Sequence, residues 1–456
     1  MVPMAKLLVS CHCGAAKQTV RLCDQVSSTP QEISLCHCGA CRHNTGILCA
    51  SYASIEQPDA TEGLAEYHSK AKTTTRFFCA ICGCHVFWRI RSSVKGDTNT
   101  GVADDAVAVA ERWAVATGVI TGESGESDKE GSEMLMRWAK HINTASTKDG
   151  GLSPFIRCVG DTRELEVVDS RGDSPPALGT AGKKLEDSDH DVELETISRG
   201  NAQEQSGDEV LNAFCHCKTV QFHITRPNLA SKLPRSNFPD LMIPYYTGSP
   251  QLQNPEDNKW WLRPNIDSGF EEPGALLTEK NGLRRYLAGT CACRSCRLIS
   301  GFEIQTWAFI PRANIFFHVQ DNHTGPPNSE SWAANEATNI VPLDFTTLPV
   351  NILTSYESSE GVRREFCSRC GSTVFWRDRW RPELMDVSVG LLDADEGARA
   401  ESWLDWWTGR VSFAEDAGND RTGDIARSAK CLIDSLENGL GRWGEERKKA
   451  RRDEDS

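Results

Sequence analysis

Fourteen of the chain's nineteen cysteines fall into two sets of seven with the same internal spacing. The first set runs Cys11-His12-Cys13, then Cys36-His37-Cys38-Gly39-Ala40-Cys41, then Cys79-Ala80-Ile81-Cys82-Gly83. The second runs Cys215-His216-Cys217, then Cys291-Ala292-Cys293-Arg294-Ser295-Cys296, then Cys367-Ser368-Arg369-Cys370-Gly371. A C-x-C or C-x-x-C pair can turn both sulfurs onto one ion, and two such pairs close the tetrahedral four-sulfur site that zinc favours, with sulfurs at about 2.3 Å. The outer pairs of each set are the natural partners: Cys11, Cys13, Cys79 and Cys82 in the first, and Cys215, Cys217, Cys367 and Cys370 in the second. A site of this kind ties an early strand to a late hairpin, and its metal affinity becomes folding free energy on the order of 10 kcal/mol. Gly83 and Gly371 suit the tight turn after the last ligand.

The middle groups, Cys36, Cys38, Cys41 and Cys291, Cys293, Cys296, offer three sulfurs each and no paired fourth. Three protein ligands with one open position is how a catalytic zinc is built, and an ion there lowers the pKa of a bound water or thiol. Two other readings stay open. A histidine could close the first copy's site, with His37, His43, His12 and His85 as candidates, or the group could hold no metal in the cell. His37 and His43 have Ala292 and Leu298 as their counterparts, so neither is a ligand common to both copies. Iron–sulfur clusters ordinarily take four thiolates, and the histidine and glutamate pattern of zinc deaminases is absent.

The repeat extends beyond the ligands. From Cys36 and Cys291 the register holds without a gap, so that Tyr52 meets Trp307 and Ile55 meets Ile310. Arg76-Phe77-Phe78-Cys79 lies on Arg364-Glu365-Phe366-Cys367, and Val86-Phe87-Trp88-Arg89 on Val374-Phe375-Trp376-Arg377. Short β-branched and aromatic runs punctuated by Gly and Pro predict strands over 49–55, 86–90, 113–120, 219–224, 304–310, 374–376 and 386–392. Long excursions between matching blocks predict loops on a fixed scaffold. The expected organisation is a first zinc-binding domain over 1–160, a disordered acidic linker over 161–208, a second domain over 209–420, and a helix with a solvated charged tail over 421–456. Trp260, Trp261, Trp403, Trp406 and Trp407 are expected mostly in the core.

Composition narrows the function classes. The chain has 456 residues and a net charge of −14, which does not suit a nucleic-acid binder. No run of eighteen apolar residues predicts a membrane span, and Met1 to Val9 leads into Cys11 without a signal-peptide pattern. A cytoplasmic location is expected, where this many cysteines point to metal ligation rather than disulfides.

At these residues the chain resembles the glutathione-dependent formaldehyde-activating enzyme family, which includes centromere protein V. The pattern C-x-C-G, C-H-C-x-x-C-R, F-C-x-x-C-G is matched by Cys11 to Gly14, Cys36 to Arg42 and Phe78 to Gly83. The second copy matches with Ala292 for the histidine and Lys218 for the glycine. The resemblance implies a mainly β fold, two β-tent domains of small antiparallel sheets held by zinc; outside its reach, apolar residues at Ile425, Leu432, Ile433, Leu436 and Leu440 predict a short C-terminal surface helix over Ile425 to Trp443. The resemblance implies zinc at two ions per domain and up to four per chain, structural at the outer four cysteines and catalytic at Cys36, Cys38, Cys41 and at Cys291, Cys293, Cys296. The implied activity is that of a carbon–sulfur lyase resembling S-(hydroxymethyl)glutathione synthase, with a small-molecule thiol and aldehyde as partners, and neither nucleic acid nor membrane. Arg42, Arg76 and Arg89 are candidates for glutathione carboxylates, weighed against plain structural charge. Trp138 to Ile142 resembles the family's C-terminal His-Ile segment, whose counterpart is expected at Arg410-Val411, and this departure makes the second copy the weaker catalytic candidate. The alternative function is a non-catalytic, zinc-stabilised protein-interaction module.

Overall fold

A computed structural model describes residues 5–23, 30–69, 72–94, 108–123, 134–160, 164–169, 209–238, 240, 254, 257–263, 285–320 and 338–454. The first copy contains β1 (Lys6–Val9), β2 (Gln18–Arg21), β3 (Gln31–Cys36), β4 (Ala50–Ile55), β5 (Leu64–His68), β6 (Thr74–Cys79), β7 (His85–Val94), β8 (Ala108–Ala116), β9 (Ile120–Glu123), β10 (Met136–Ile142) and β11 (Glu166–Val168). The second contains β12 (Val210–Phe214), β13 (Gln221–Thr225), β14 (Leu262–Arg263), β15 (Arg285–Cys291), β16 (Gln305–Pro311), β17 (Ile315–Gln320), β18 (Thr338–Pro342), β19 (Leu353–Ser359), β20 (Val362–Cys367), β21 (Thr373–Asp378), β22 (Leu384–Ser388), β23 (Leu392–Asp393) and β24 (Leu404–Trp406). Three α-helices accompany them among the described residues: α1 (Gly39–Thr45), α2 (Arg294–Ser300) and α3 (Gly423–Glu454).

The fold is mainly β, as the spacing of short apolar runs predicts. Each copy pairs a small sheet with a large one. In the first, the orders are β2-β1-β9 and β11-β10-β3-β4-β8-β7-β6-β5; in the second, they are β18-β17-β13-β12-β23 and β14-β15-β16-β22-β21-β20-β19, with β24 also on β15. Pairing is antiparallel except where β10 lies between β3 and β11, and where β24 runs along β15. β19, at the outer edge, alternates in burial along most of its length, whereas β15 and β16 are buried at every position. That contrast follows from one solvated face against two covered ones.

The two copies pack on each other reciprocally. The amide of Gly118 donates to Gly301 O at 2.9 Å, and its counterpart Gly390 donates to Gly46 O at 3.1 Å. Arg297 Nη1 donates to Gly118 O, and Arg42 Nη1 to Gly390 O. The His12 amide reaches Leu298 O and the His216 amide reaches His43 O. Phe78 of one copy sits over Gly371 of the other, as Phe366 sits over Gly83. This self-complementary pattern, in which i meets j′ and j meets i′, is that of an isologous dimer, here within one chain. One hydrophobic cluster accordingly runs through both copies.

Two expectations change in detail. Glu166–Val168, inside the stretch expected as linker, is a strand paired in parallel with β10; residues 170–208 lie outside the described residues. The C-terminal helix is long. It spans 32 residues and continues through Glu445 to Glu454, the stretch expected as a solvated tail. Ile425, Ala429, Leu432, Ile433, Leu436 and Leu440 are buried, so the helix is bound into the protein along its first half. Trp260, Trp261, Trp403 and Trp406 are buried, as expected, and Trp407 packs against the core partly exposed.

Candidate metal centres

The outer cysteine pairs converge. In the first copy Cys11 and Cys13 follow β1, and Cys79 and Cys82 bracket the turn after β6; all four sulfurs lie within 4.8 Å of one another. Cys11 and Cys13 sulfurs stand 3.5 Å apart, and Cys13 and Cys79 sulfurs 3.4 Å apart. Cys215, Cys217, Cys367 and Cys370 repeat the arrangement, with separations of 3.4 to 3.6 Å. Sulfurs at about 2.3 Å around one tetrahedral ion stand roughly 3.8 Å apart, so both sets fit zinc with a small expansion. None of the nineteen cysteines forms a disulfide. Gly83 and Gly371 hold φ of 78° and 76° after the last ligand, the left-handed turn expected there.

The middle groups also converge. Cys36 ends β3, while Cys38 and Cys41 flank the start of α1, and their three sulfurs lie within 4.8 Å of one another; Cys291, Cys293 and Cys296 do the same at β15 and α2. Cys38 and Cys293 are the N-caps: each sulfur accepts the amide of the cysteine three residues on, at 3.3 and 3.2 Å. Among the described residues no histidine, aspartate or glutamate joins either group. Of the four histidines that could have closed the first, His37 hydrogen-bonds His141 at 2.9 Å, His43 meets Phe214 O, and His85 lies buried between Phe78 and Phe302. His12 points into the second copy, to Tyr356 and Ser295.

One cation faces each group. Arg76 Nη2 donates to Cys41 Sγ at 3.2 Å, and its counterpart Arg364 Nη1 donates to Cys296 Sγ at 3.2 Å. Hydrogen bonds from Cys36 and Cys38, with the Arg76 charge, hold the Cys41 thiol well below its usual range. Cys291, Cys293 and Arg364 do the same for Cys296. Cys38 and Cys291 are pushed the other way by their neighbouring sulfurs and by burial. Three thiolates on a divalent cation would carry one net negative charge, which the buried guanidinium at each group would offset. Of the three arginines offered from sequence for glutathione carboxylates, Arg76 is instead turned onto a cysteine sulfur. Arg42 reaches the other copy, and Arg89 lies over Phe77 and Trp113.

The walls differ between copies. In the first, Tyr52 OH accepts from Arg76, and Asn143 Nδ2 donates to Cys36 Sγ at 3.4 Å. In the second, Trp307 replaces Tyr52, and Phe413 replaces Asn143 with the same left-handed backbone. The Cys291 bridge to Ser412 parallels the Ile142 pairing with Cys36. The counterpart of His141-Ile142 is therefore Val411-Ser412, one residue beyond the expected Arg410-Val411, because loop lengths hid the register. The first group is sealed, with Cys36 at 0% exposure, whereas Cys291 is at 7% and Cys293 half-buried. Asn143 and Arg364 were not singled out from sequence, and His12 and His43, candidates there for closing the first group, instead make contacts across to the second copy. Arg364 alone had a signal, its alignment with Arg76.

A sequence model of the glutathione-dependent formaldehyde-activating enzyme family matches residues 6–117 and 344–410, consistent with two copies of the domain in tandem. The second stretch contains Arg364, Cys367 and Cys370 but begins after the other five cysteines of its set. No curated protein and no solved structure matches the chain.

Proposed function

On the premise of a chain that matches the glutathione-dependent formaldehyde-activating enzyme family in both halves, we propose that it is a zinc-dependent carbon–sulfur lyase handling a thiol, glutathione in the first instance, and a small aldehyde. The observation that carries this reading is a three-cysteine group with a buried arginine on one sulfur and no fourth protein ligand beside it among the described residues. Zinc bound there would stabilise a substrate thiolate at neutral pH. The chain's own residues set the conditions for it. Arg76 and Arg364 offset the charge of the cysteines, α1 and α2 hold two sulfurs of each group at a fixed turn, and Asn143 orients Cys36. In the synthetic direction the thiol sulfur adds to the carbonyl carbon, the carbon–oxygen π bond breaks, and the thiol proton ends on the oxygen, giving a hydroxymethyl thioether. Holding sulfur and aldehyde side by side supplies the proximity on which such an addition depends.

The test follows formation of the formaldehyde–glutathione adduct by proton NMR, with the zinc-loaded chain and with its Cys41→Ser and Cys296→Ser variants. Loss of acceleration in either variant, with folding intact, supports the reading and identifies the working copy. Uncatalysed rates for the unmutated chain would refute it and leave the zinc-stabilised interaction module.

A further inference from the structure

His12 belongs by sequence to the first copy, between Cys11 and Cys13, yet its ring faces the second copy's three-cysteine group. Its Nδ1 lies 2.9 Å from Tyr356 OH and its Nε2 3.3 Å from Ser295 Oγ. Ser295 Oγ accepts from Arg364 Nη2 at 3.1 Å, and Arg364 Nη1 donates to Cys296 Sγ. The directions are mutually consistent. A guanidinium only donates, so Ser295 Oγ accepts from Arg364 and has its own proton to give; in the His12 tautomer with Nδ1–H toward Tyr356, that proton goes to Nε2. The chain of contacts thus runs from one copy's four-sulfur cluster to the other copy's three-cysteine group. The first copy has half of this device: Tyr67 OH meets His216 Nδ1 at 2.6 Å. Ala40 stands where Ser295 does, and a methyl group cannot bridge to Arg76.

We infer that His12 and Ser295 are positioning residues for the second copy's metal site, so that this site is complete only when both copies are present. The inference rests on the reading of Cys291, Cys293 and Cys296 as zinc ligands. Ser295 holds the guanidinium of Arg364 in the orientation that meets Cys296, and His12, fixed by its own cluster, holds Ser295. Groups that orient a metal's ligands typically matter 10- to 100-fold in affinity.

The experiment uses the full zinc-loaded chain. Total zinc is counted first, and its release to a chromophoric chelator is then followed in time, the second copy's phase being the one that Cys296→Ser removes. Ser295→Ala is expected to speed that phase about 10-fold or more, with thermal midpoint unchanged, and Ser295→Thr to restore it. His12→Phe should speed the same phase, and adding it to Ser295→Ala should bring little more. Ala40→Ser should slow release from the first copy's group by supplying the missing hydroxyl. Fewer than four zinc ions, with no phase sensitive to Cys296→Ser, would overturn the metal reading itself. Four ions with that phase unmoved by Ser295→Ala, or effects of the two substitutions that multiply, would overturn the inference alone.

Discussion

Arg421→Met should be among the most destabilising single changes in the chain. The Arg421 guanidinium meets both oxygens of Glu303, at 2.8 and 3.0 Å, with side-chain exposures of 1% and 6%. It also donates to the carbonyls of Ile120 and Thr117 at 3.2 Å, so one side chain ties the start of α3 to both copies. Burial pushes the Glu303 carboxyl up, but the charge and hydrogen bonds of Arg421 outweigh it and leave it below its ordinary value. Removing the arginine strands a buried carboxylate, which costs about 3–5 kcal/mol. Replacing both partners by apolar groups costs far less, so Glu303→Leu with Arg421→Met should recover most of the loss. Arg21→Met is the control: its pair with Glu56 is 3.3 Å long with side chains 51% and 37% exposed, and it should cost at most about 1 kcal/mol. The assay is urea unfolding of the zinc-saturated chain at fixed free zinc, followed by tryptophan fluorescence. In Arg421→Met the raised Glu303 takes up a proton more readily when folded than when unfolded, so its deficit should shrink as pH falls toward 5. A loss no larger than that of Arg21→Met, or a double variant as unstable as the single, would refute the reasoning.

Other perturbations test other parts of the account. Gly118→Ala places a Cβ 2.5 Å from Phe302 N and 2.6 Å from Gly301 C; backbone cannot yield as a side chain does, so about 1–3 kcal/mol should be lost, whereas Gly441→Ala in α3, with open space around it, should gain up to about 1 kcal/mol, both read by the same urea midpoint. His223 Nδ1 lies 2.7 Å from His318 Nε2, and burial with that neighbour lowers His223 to about 4. An unfolded histidine titrates near 6.5, so the unfolded state binds the extra proton between about 6.5 and 4 and stability falls as pH drops through that window; in His223→Phe the acid-dependent loss should be smaller, and equal slopes would contradict the assignment. Cys82→Ser should lower the zinc count by one and depress the thermal midpoint strongly, whereas Cys41→Ser should lower the count with a smaller effect on folding, because only the outer cluster joins the early strand to the late hairpin.

The cysteine framework was legible because ligand chemistry imposes short, fixed spacings that recur in both copies. The strands carrying it were legible from β-branched and aromatic runs, and both late strands, β8 and β22, break into one turn of 3₁₀ helix at matching places, Thr117–Val119 and Val389–Leu391. The interface between copies was not. Its contacts use backbone carbonyls of Gly46, Gly118, Gly301 and Gly390, which have no side-chain signature. The roles of His12 and Ser295 depend on that interface and stayed hidden with it. The length of α3 was missed because Glu445 to Glu454 has charged residues and no apolar period, so only continuation from Ile425 to Leu440 extends the helix. Asn143 escaped notice because its contact with Cys36 follows from the parallel placement of β10 beside β3, a register that spacing alone does not reveal.

The most direct test of the central claim is elemental analysis of the purified, reduced chain together with X-ray absorption at the zinc edge. Four zinc ions per chain are expected, with an average shell of more than three sulfurs at about 2.3 Å. A chain that folds with no bound transition metal, or whose metal sits among nitrogen and oxygen ligands, would contradict it.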